Sequence, residues 1–190
     1  MGSFELKSAR YLASDHLARV IREGDAVADA TAGNGHDTCF LAELAGSAGR
    51  VYAFDIQASA IDSTAKRLAE SGLSSRVTLL NTGHEHMAEY IREPLRAVMF
   101  NLGWLPGGNK QITTRWETTR RALEQALSLL MPLGVCTVCV YPGHASGEEE
   151  RQRLTEYLAS LRPQEYNVLH EKFLNAGAFA PECFVIQRME

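Results

Sequence analysis

The sequence predicts an α/β fold in which helices cover both faces of a mostly parallel sheet. Along nearly the whole chain, short apolar segments of strand length alternate with amphipathic segments of about ten residues or more. Such alternation favours parallel strands that are joined by helical crossovers. Near the carboxyl terminus, however, only residues 174–181 separate two strand-like segments. Because this loop cannot hold a crossover helix, we expect the last strand to run antiparallel to its neighbour.

The composition indicates one cytoplasmic domain over residues 1–190. Hydrophobic residues make up 45% of the chain and charged residues 22%, which excludes a disordered or fibrous protein. The net charge of −4 argues against coating of nucleic acid through bulk charge, although it is compatible with a local basic patch. We find neither a membrane-length apolar run nor a signal segment, and therefore expect no membrane contact. The four cysteines are too scattered for a disulfide framework, which favours a reduced compartment.

The amino-terminal half contains three predicted strand–helix units. They are preceded by an amphipathic helix over 8–22, within a segment 1–23 that we expect to pack on the sheet or beside the substrate. A short apolar run after Gly24 and Asp25 gives the first strand, and a glycine-rich turn leads from it into a helix. The predicted strands are 26–30, 51–55 and 76–80, and the helices that follow them are 37–45, 58–70 and 84–92.

The carboxyl-terminal half adds two strand–helix units and a hairpin. A Gly- and Pro-rich loop over 102–111 follows the fourth strand, and Thr113 or Thr114 is expected to cap the next helix. The fifth strand is the most apolar, so we expect it near the centre of the sheet. Ser146 is expected to cap the last helix, whose first turn is acidic. The predicted strands are 97–101, 134–141, 166–172 and 183–188, and the predicted helices are 113–131 and 146–161.

Ligands of such an open, Rossmann-like, seven-stranded sheet bind outside the carboxyl ends of the strands, and the first strand end carries two glycines. Gly33 and Gly35 allow a tight turn and close approach of the backbone to a ligand. Thr38 replaces the third glycine of a dinucleotide fingerprint. The carboxylate of Asp29 precedes the glycines and suits a cationic ligand such as S-adenosylmethionine better than a pyrophosphate. The alternative is an ordinary turn in which Asp29 caps loop amides.

The next two strand ends carry groups that suit a nucleoside. Asp55 occupies a position from which an acid accepts hydrogen bonds from both ribose hydroxyls, and Gln57 lies beside it. The alternative is that Asp55 only caps the following helix. Polar residues over 81–86 end the third strand, where an adenine would lie. Within them, His84, Glu85 and His86 are adjacent and do not converge on one ion, so we expect no metal.

The most specific local feature follows the fourth strand. Asn101 ends the strand and Trp104 comes three residues later, which is similar to the Asn-Pro-Pro-Tyr loop of methyltransferases that modify amino groups. The side-chain oxygen of Asn101 and the next backbone carbonyl can accept the hydrogens of an amine and direct its lone pair. Trp104 can stack on a planar base. The alternative is a surface loop that Trp104 anchors in the core.

Three other features are less specific. Cys136 and Cys139 have CxxC spacing, but strand alternation places them on opposite faces, which favours a buried strand over a redox or zinc site. His144 follows strand five on the ligand side, as a base, a substrate contact or a loop residue without a role. A group of basic residues either follows an RNA backbone or forms a solvated helix face. The group consists of Lys110, Arg115, Arg120 and Arg121.

Together these motifs resemble the small bacterial class I methyltransferases that are described as putative rRNA methylases. The matching segments are 29–38, 51–57, 83–85, 101–110 and 141–144. The resemblance implies S-adenosylmethionine as the cofactor, released as S-adenosylhomocysteine, and the anticodon region of tRNA as the partner. It also implies that the aminomethyl group of 5-aminomethyl-2-thiouridine at the wobble position is converted to methylaminomethyl. It leaves the formation of a homodimer open.

The motifs and the resemblance assign roles to three groups of residues. The cofactor-binding residues are Asp29, Thr31, Gly33, Asn34, Gly35, His36, Asp37, Thr38, Asp55, Ile56, Gln57, His84 and Glu85. The catalytic residues are Asn101, Leu102, Gly103 and Trp104. The substrate-binding residues are Trp104, Pro106, Gly107, Gly108, Lys110 and His144.

Three positions depart from the pattern of that family. The family usually has Tyr at 104, Asp at 109 and His at 142, where this chain has Trp104, Asn109 and Pro142. Trp104 keeps a stacking surface but lacks the phenol hydroxyl, and Pro142 removes a candidate imidazole. Three alternatives stay open: a methyltransferase with another acceptor such as an rRNA base, a nucleotide-binding module without turnover, and a nicotinamide dehydrogenase, which Thr38 disfavours.

Overall fold

A computed structural model describes residues 7–105, 107–108, 111–143 and 145–190 of the chain. Its seven strands form a single sheet in the order β3-β2-β1-β4-β5-β7-β6. The strands are β1 (Ala26–Asp29), β2 (Arg50–Phe54), β3 (Val77–Leu80), β4 (Leu95–Asn101), β5 (Leu130–Val140), β6 (Tyr166–Glu171) and β7 (Glu182–Arg188).

The strand directions confirm the predicted topology. Strands β1 to β5 pair in parallel, whereas β7 runs antiparallel to both β5 and β6. The fifth strand was expected near the centre of the sheet, and β5 lies beside the middle strand β4. The chain changes direction between β3 and β4, which lie on opposite sides of β1, so the carboxyl ends of β1 and β4 border a crevice.

Helices cover both faces of the sheet, as predicted. They are α1 (Ala9–Val20), α2 (His36–Ala45), α3 (Ala58–Glu70), α4 (Met87–Tyr90), α5 (Trp116–Leu129) and α6 (Ala145–Ala159), and single 3₁₀ turns over Ser74–Arg76 and His84–His86 precede β3 and α4. One core cluster joins the sheet to α1, α2 and α3, and the other joins it to α4, α5 and α6. Cys136 lies in one cluster and Cys139 in the other, as strand alternation predicts. In the described ranges, no helix has both the length and the apolar character needed to cross a membrane.

The predicted caps of the last two helices are wrong. Helix α5 begins at Trp116, and its N-cap residue Arg115 makes no side-chain cap hydrogen bond. Thr114 stays outside the helix because its hydroxyl binds Gly103 and a glutamate of α6 instead. Such contacts between residues far apart in the chain cannot be predicted from the local sequence pattern. Helix α6 begins at Ala145, so Ser146 lies within its first turn and does not precede it.

The boundary between α5 and β5 is also displaced from its predicted position. Strand β5 begins at Leu130, four residues before the predicted start at 134. The register against β4 shifts between Leu95 and Ala97, and Leu133 adopts a positive φ of 60°. A Cβ at Gly134 would lie 2.8 Å from the Met131 carbonyl oxygen, so the shift needs a glycine there. Periodicity alone cannot locate a strand that starts without a turn.

Candidate active site

Two adjacent cavities open at the carboxyl ends of the parallel strands. The larger has a volume of about 400 Å³ and the smaller about 300 Å³. The larger reaches toward the ends of β2 and β3, and the smaller toward α1 and the start of α2. The residues that line both cavities are Thr31, Gly33, Asn101, Gly103 and Trp104. The predicted site therefore consists of two compartments that share one wall.

The glycine turn after β1 is fixed by backbone contacts and by α3. The Gly33 amide donates to the Asp55 carboxylate at 3.0 Å, and the Gly33 carbonyl accepts from the Thr64 hydroxyl at 3.0 Å. Gly35 has a φ of 79°, and a Cβ there would lie 2.9 Å from Thr64 Cα. Both the conformation and the close packing thus require glycine at 35. Arg67 donates to the carbonyl of Asn34 at 2.7 Å, which ties the turn to α3 a second time.

Asp29 supports this turn from behind and lines neither cavity. Its side chain is fully buried, and it accepts hydrogen bonds from the Thr31 amide at 3.0 Å and the Thr38 hydroxyl at 2.6 Å. Burial raises the pKa of Asp29 to about 7. Asp29 and the buried Thr38 therefore support the turn, and their predicted contact with the cofactor stays a prediction. The alternative in which Asp29 caps loop amides describes its contacts.

The Asp55 carboxylate lies at the mouth of the larger cavity. One oxygen accepts from the Gly33 amide, and the other accepts from the Gln57 amide at 2.9 Å. Asn81 donates to the Asp55 carbonyl at 2.9 Å and so joins the ends of β2 and β3. Each carboxylate oxygen keeps a lone pair for a further donor, as recognition of two neighbouring hydroxyls requires. Gln57 and the exposed Ile56 line the same cavity.

His84 lines the inner part of the larger cavity as a neutral imidazole. Its Nδ1 lies 3.1 Å from the carbonyl oxygen of Ala30, which can only accept, so Nδ1 carries the proton and Nε2 is an acceptor. Burial lowers the pKa of His84, which keeps the ring uncharged. The neighbouring Glu85 also lines this cavity, and Gln125 of α5 donates to its carbonyl at 2.5 Å.

Asn101 lies in the wall between the cavities, and its amide has a defined orientation. Its Nδ2 donates to the Asp37 carboxylate at 2.7 Å, and this acceptor-only partner leaves Oδ1 on the other side. The Tyr141 hydroxyl donates to Oδ1 at 3.4 Å, and burial raises the pKa of Tyr141 to about 12, which keeps it a donor. Arg10 of α1 holds the other Asp37 oxygen through Nε at 2.7 Å, and this partner raises the pKa of Arg10. Hydrogen bonds that link Arg10, Asp37 and Tyr141 to Asn101 thus fix the orientation of the Asn101 amide oxygen.

The turn that follows Asn101 places Trp104 beside both cavities. The Leu102 amide donates to the carbonyl of Cys139 at 2.8 Å, and the Leu102 side chain is buried. Gly103 has a φ of 135°, and its amide donates to the Thr114 hydroxyl at 2.8 Å. Trp104 is half-buried and forms an isolated β-bridge with Thr113. Its ring therefore borders the site and is not a simple core anchor.

The predicted substrate-binding residues are only partly brought to the site. Gly107 and Gly108 are exposed and line neither cavity, so their predicted contact is not supported. Pro106, Lys110 and His144 lie outside the described residues, as does Asn109. Among the basic residues, Arg115 lines the larger cavity, whereas Arg120 pairs with Glu124 on the surface of α5. No cluster of three metal-ligating side chains occurs in the part of the chain that the structure describes.

Several residues of the site were not assigned a role by sequence reasoning. They are Arg10, Gln111, Ile112, Thr114 and Tyr141. Tyr141 belongs to a segment that carries the family resemblance, and this was the one signal available for it. Arg10 precedes Asp37 by 27 residues, and no spacing rule joins a helix before β1 to the helix after it.

Comparisons with known proteins identify relatives of this chain. Residues 51–187 match the family described as "Putative rRNA methylase". A chloroplastic tRNA (mnm(5)s(2)U34)-methyltransferase of Arabidopsis thaliana is 38% identical over 97% of this chain and 71% of its own length. These matches cover the elements that carry Asp55, His84 and Asn101.

Two solved structures extend the comparison to the fold. A putative rRNA methylase from Clostridium thermocellum has a TM-score of 0.96 and 42% identity, and the match covers 98% of this chain and all of the other. A putative methyltransferase from Streptococcus mutans, solved in complex with S-adenosylhomocysteine, has a TM-score of 0.89 and 32% identity over 97% of this chain and all of the other. The chain thus belongs to the rRNA methylase family and is a class I methyltransferase that depends on S-adenosylmethionine.

Proposed function

We propose that this protein methylates the primary amine of 5-aminomethyl-2-thiouridine at the wobble position of tRNA. The product is the methylaminomethyl nucleoside. The Arabidopsis relative is named for the same modification, and the single structural observation that carries the proposal is the placement of Asn101. Its oriented amide oxygen lies in the wall shared by two cavities, where a cofactor on one side meets an acceptor on the other.

The larger cavity has hydrogen-bond acceptors that suit S-adenosylmethionine. Asp55 suits the two ribose hydroxyls, and the neutral Nε2 of His84 suits the exocyclic amine of an adenine. The backbone at Gly33 has no Cβ between it and the cavity, so a ligand can approach the turn closely. When bound, the cofactor supplies an electrophilic methyl group on a sulfonium.

The smaller cavity suits an amine, and it is also lined by Asn34, His36 and Asp37, whose predicted contact with the cofactor stays a prediction. An amine must be neutral to act as a nucleophile, because an ammonium has no lone pair. The Asn101 Oδ1 accepts one N–H of the neutral amine and so directs its lone pair away from the amide. Asp37 and Arg10 hold the amide in this orientation. Trp104, at the same wall, provides a flat surface on which a uracil ring stacks.

The test is a methyl-transfer assay with isotopically labelled S-adenosylmethionine. The purified protein is incubated separately with tRNA that lacks the final methyl group, with rRNA and with no acceptor. Digested nucleosides are then analysed by mass spectrometry, and fragmentation locates the label on the side-chain amine or on the ring. We expect one methyl group on the amine of the wobble nucleoside and no label in rRNA.

Two results would overturn the proposal. Label in an rRNA nucleoside, with none in the tRNA, would assign the acceptor to the ribosome. Label on the ring of the uridine would exclude the amine, and with it the role of Asn101 as the amine's acceptor. A titration of cofactor binding by calorimetry accompanies each assay, so that failure of the acceptor is distinguished from failure of the fold.

A further inference from the structure

Glu150 is a buried carboxylate that the proposed reaction does not use directly. It lies on α6, is only 3% exposed and lines neither cavity. Among the described residues, no cation pairs with it, and burial raises its pKa. Its acceptors are satisfied by two hydroxyls, Thr119 at 2.6 Å and Thr114 at 2.7 Å. Burial of a carboxylate without a cation costs stability, so a well-packed apolar residue would stabilise the fold better here.

Thr114 connects this carboxylate to the turn after Asn101. Its single hydroxyl proton is donated to Glu150, which leaves the oxygen free to accept from the Gly103 amide at 2.8 Å. The Thr114 amide also donates to the Gly103 carbonyl at 3.0 Å. Gly103 and Thr114 therefore hold each other by two hydrogen bonds, and the acceptor-only carboxylate fixes the direction of one of them.

This pair closes the neck of the loop that presents Trp104. The next residues on each side, Trp104 and Thr113, form the isolated β-bridge. Gly103 has a φ of 135°, which a glycine adopts without strain, so its many accessible conformations are restricted here by the two hydrogen bonds to Thr114. Further support comes from α6, which is distant in sequence from the loop that it holds.

We propose that Glu150 is a positioning residue for methyl transfer, which acts through Thr114 to hold Gly103 and so fixes Trp104 relative to Asn101. The proposal rests on the proposed function in one respect, namely that Asn101 and Trp104 face the acceptor. It assigns to a buried carboxylate the side-chain support of a turn whose backbone contacts are the Thr114–Gly103 bond and the Trp104–Thr113 bridge.

The test compares two threonines that bind the same carboxylate. Thr114→Val removes the link to Gly103, whereas Thr119→Val removes the other hydroxyl and leaves the link intact. Thr114 also lines the larger cavity, but valine keeps the size of its side chain, so we expect Thr114→Val to lower kcat about 10-fold or more and to change cofactor affinity less than it changes kcat. Thr119→Val lowers the melting temperature but keeps most of kcat. Thr114→Ser restores turnover, because it restores the hydroxyl, and Glu150→Gln lowers kcat in the same direction as Thr114→Val.

A second readout is independent of the acceptor. The chain has two tryptophans, and Trp116, which packs on Tyr157, lies outside the cavities. In a Trp116→Phe background, acrylamide quenching of fluorescence reports the exposure of Trp104 alone. We expect quenching to increase with Thr114→Val and not with Thr119→Val. If wild type is inactive on tRNA, this comparison still decides the role of Glu150.

Two outcomes would overturn the role of Glu150. One is wild-type turnover and quenching in Thr114→Val, which would show that the turn needs no external support. The other is an equal loss of kcat in both valine variants, which would reduce Glu150 to general stabilisation of α5 and α6.

Discussion

The two halves of the site are held in place by different kinds of bond. In the cofactor half, at the ends of β1 to β3, backbone amides donate hydrogen bonds to two carboxylates. Asp29 accepts from the amide of Thr31, and Asp55 accepts from the amides of Gly33 and Gln57. In the acceptor half, around Asn101 and Trp104, side chains from distant helices hold the active groups. In these carboxylate–amide contacts of the cofactor half the partners lie 2 to 22 residues apart, whereas Asp37 and Asn101 lie 64 residues apart.

The difference predicts which substitutions change cofactor binding and which change turnover. The cofactor turn has one backbone shape, because carboxylates bind its amides and glycine is required at 35, and this suits a fixed cofactor. A turn that is held by side chains is altered when one of those side chains changes, which suits a variable acceptor. We therefore expect substitutions in the cofactor half to change affinity for S-adenosylmethionine, and substitutions in the acceptor half to change turnover.

The largest expected effect is the loss of the Asn101 amide. Asn101→Ala removes the oxygen that orients the amine and is expected to lower kcat roughly 10²- to 10³-fold, as loss of an oriented polar group in a catalytic site does. Cofactor affinity, measured by calorimetry, stays close to wild type. The matched control is Asn81→Ala, which removes an asparagine that binds the Asp55 carbonyl in the cofactor half. If Asn101→Ala weakens cofactor binding as much as turnover, the two halves are not separable.

The next effect tests the cofactor half. Asp55→Ala removes both the acceptor for hydroxyls and the anchor of the Gly33 amide, so we expect about 100-fold weaker binding of S-adenosylmethionine. At saturating cofactor, kcat recovers to a large extent. Asp62→Ala, on the exposed side of α3, is the control and changes neither quantity. A loss of kcat that saturation does not restore would place Asp55 in the acceptor half as well.

The same division explains what the sequence could predict. The alternation of strands and helices, the glycine turn and Asp55 follow from local pattern, and the structure confirms the fold. Asn101 was identified because its spacing to Trp104 is local. Arg10 and Glu150 were missed because each reaches the site from a helix far along the chain, and no periodicity records such a contact. The predicted cap of α5 is wrong for a related reason, since Thr114 binds across the fold.

A smaller effect, on stability, concerns Asp29. Its pKa is about 7 in the folded protein and 3.8 when exposed, so the folded state binds the proton more tightly and stability falls as pH rises between these values. From pH 5 to pH 8 this group alone lowers the free energy of unfolding by on the order of 2 kcal/mol. Asp29→Asn keeps an acceptor for the Thr31 amide, cannot ionise and is expected to flatten this part of the profile.

Urea unfolding at pH 5, 6, 7 and 8 (four conditions, wild type against Asp29→Asn) measures the effect. Equal slopes for the two proteins would show that Asp29 is ionised throughout and that its hydrogen bonds offset its burial. In that case the cofactor half would carry a fixed negative charge behind the glycine turn. A charged side chain would then support the cofactor half as well as the acceptor half, and the difference between the two halves would be smaller.

The smallest effect concerns Arg10, the residue that joins α1 to the acceptor half. Two of its nitrogens, Nε and Nη2, lie 2.7 Å and 2.6 Å from the same Asp37 oxygen, and Asp37 in turn holds the Asn101 amide. Arg10→Lys keeps the charge but loses the planar fork, so we expect a decrease in kcat of about 5- to 10-fold with little change in cofactor affinity. Arg19→Lys is the matched control, because Arg19 pairs with Asp15 on the exposed side of the same helix. Steady-state kinetics, measured together with cofactor calorimetry, shows which half of the site Arg10 supports. If Arg10→Lys weakens cofactor binding and leaves kcat unchanged, α1 belongs to the cofactor half and does not support the Asn101 amide.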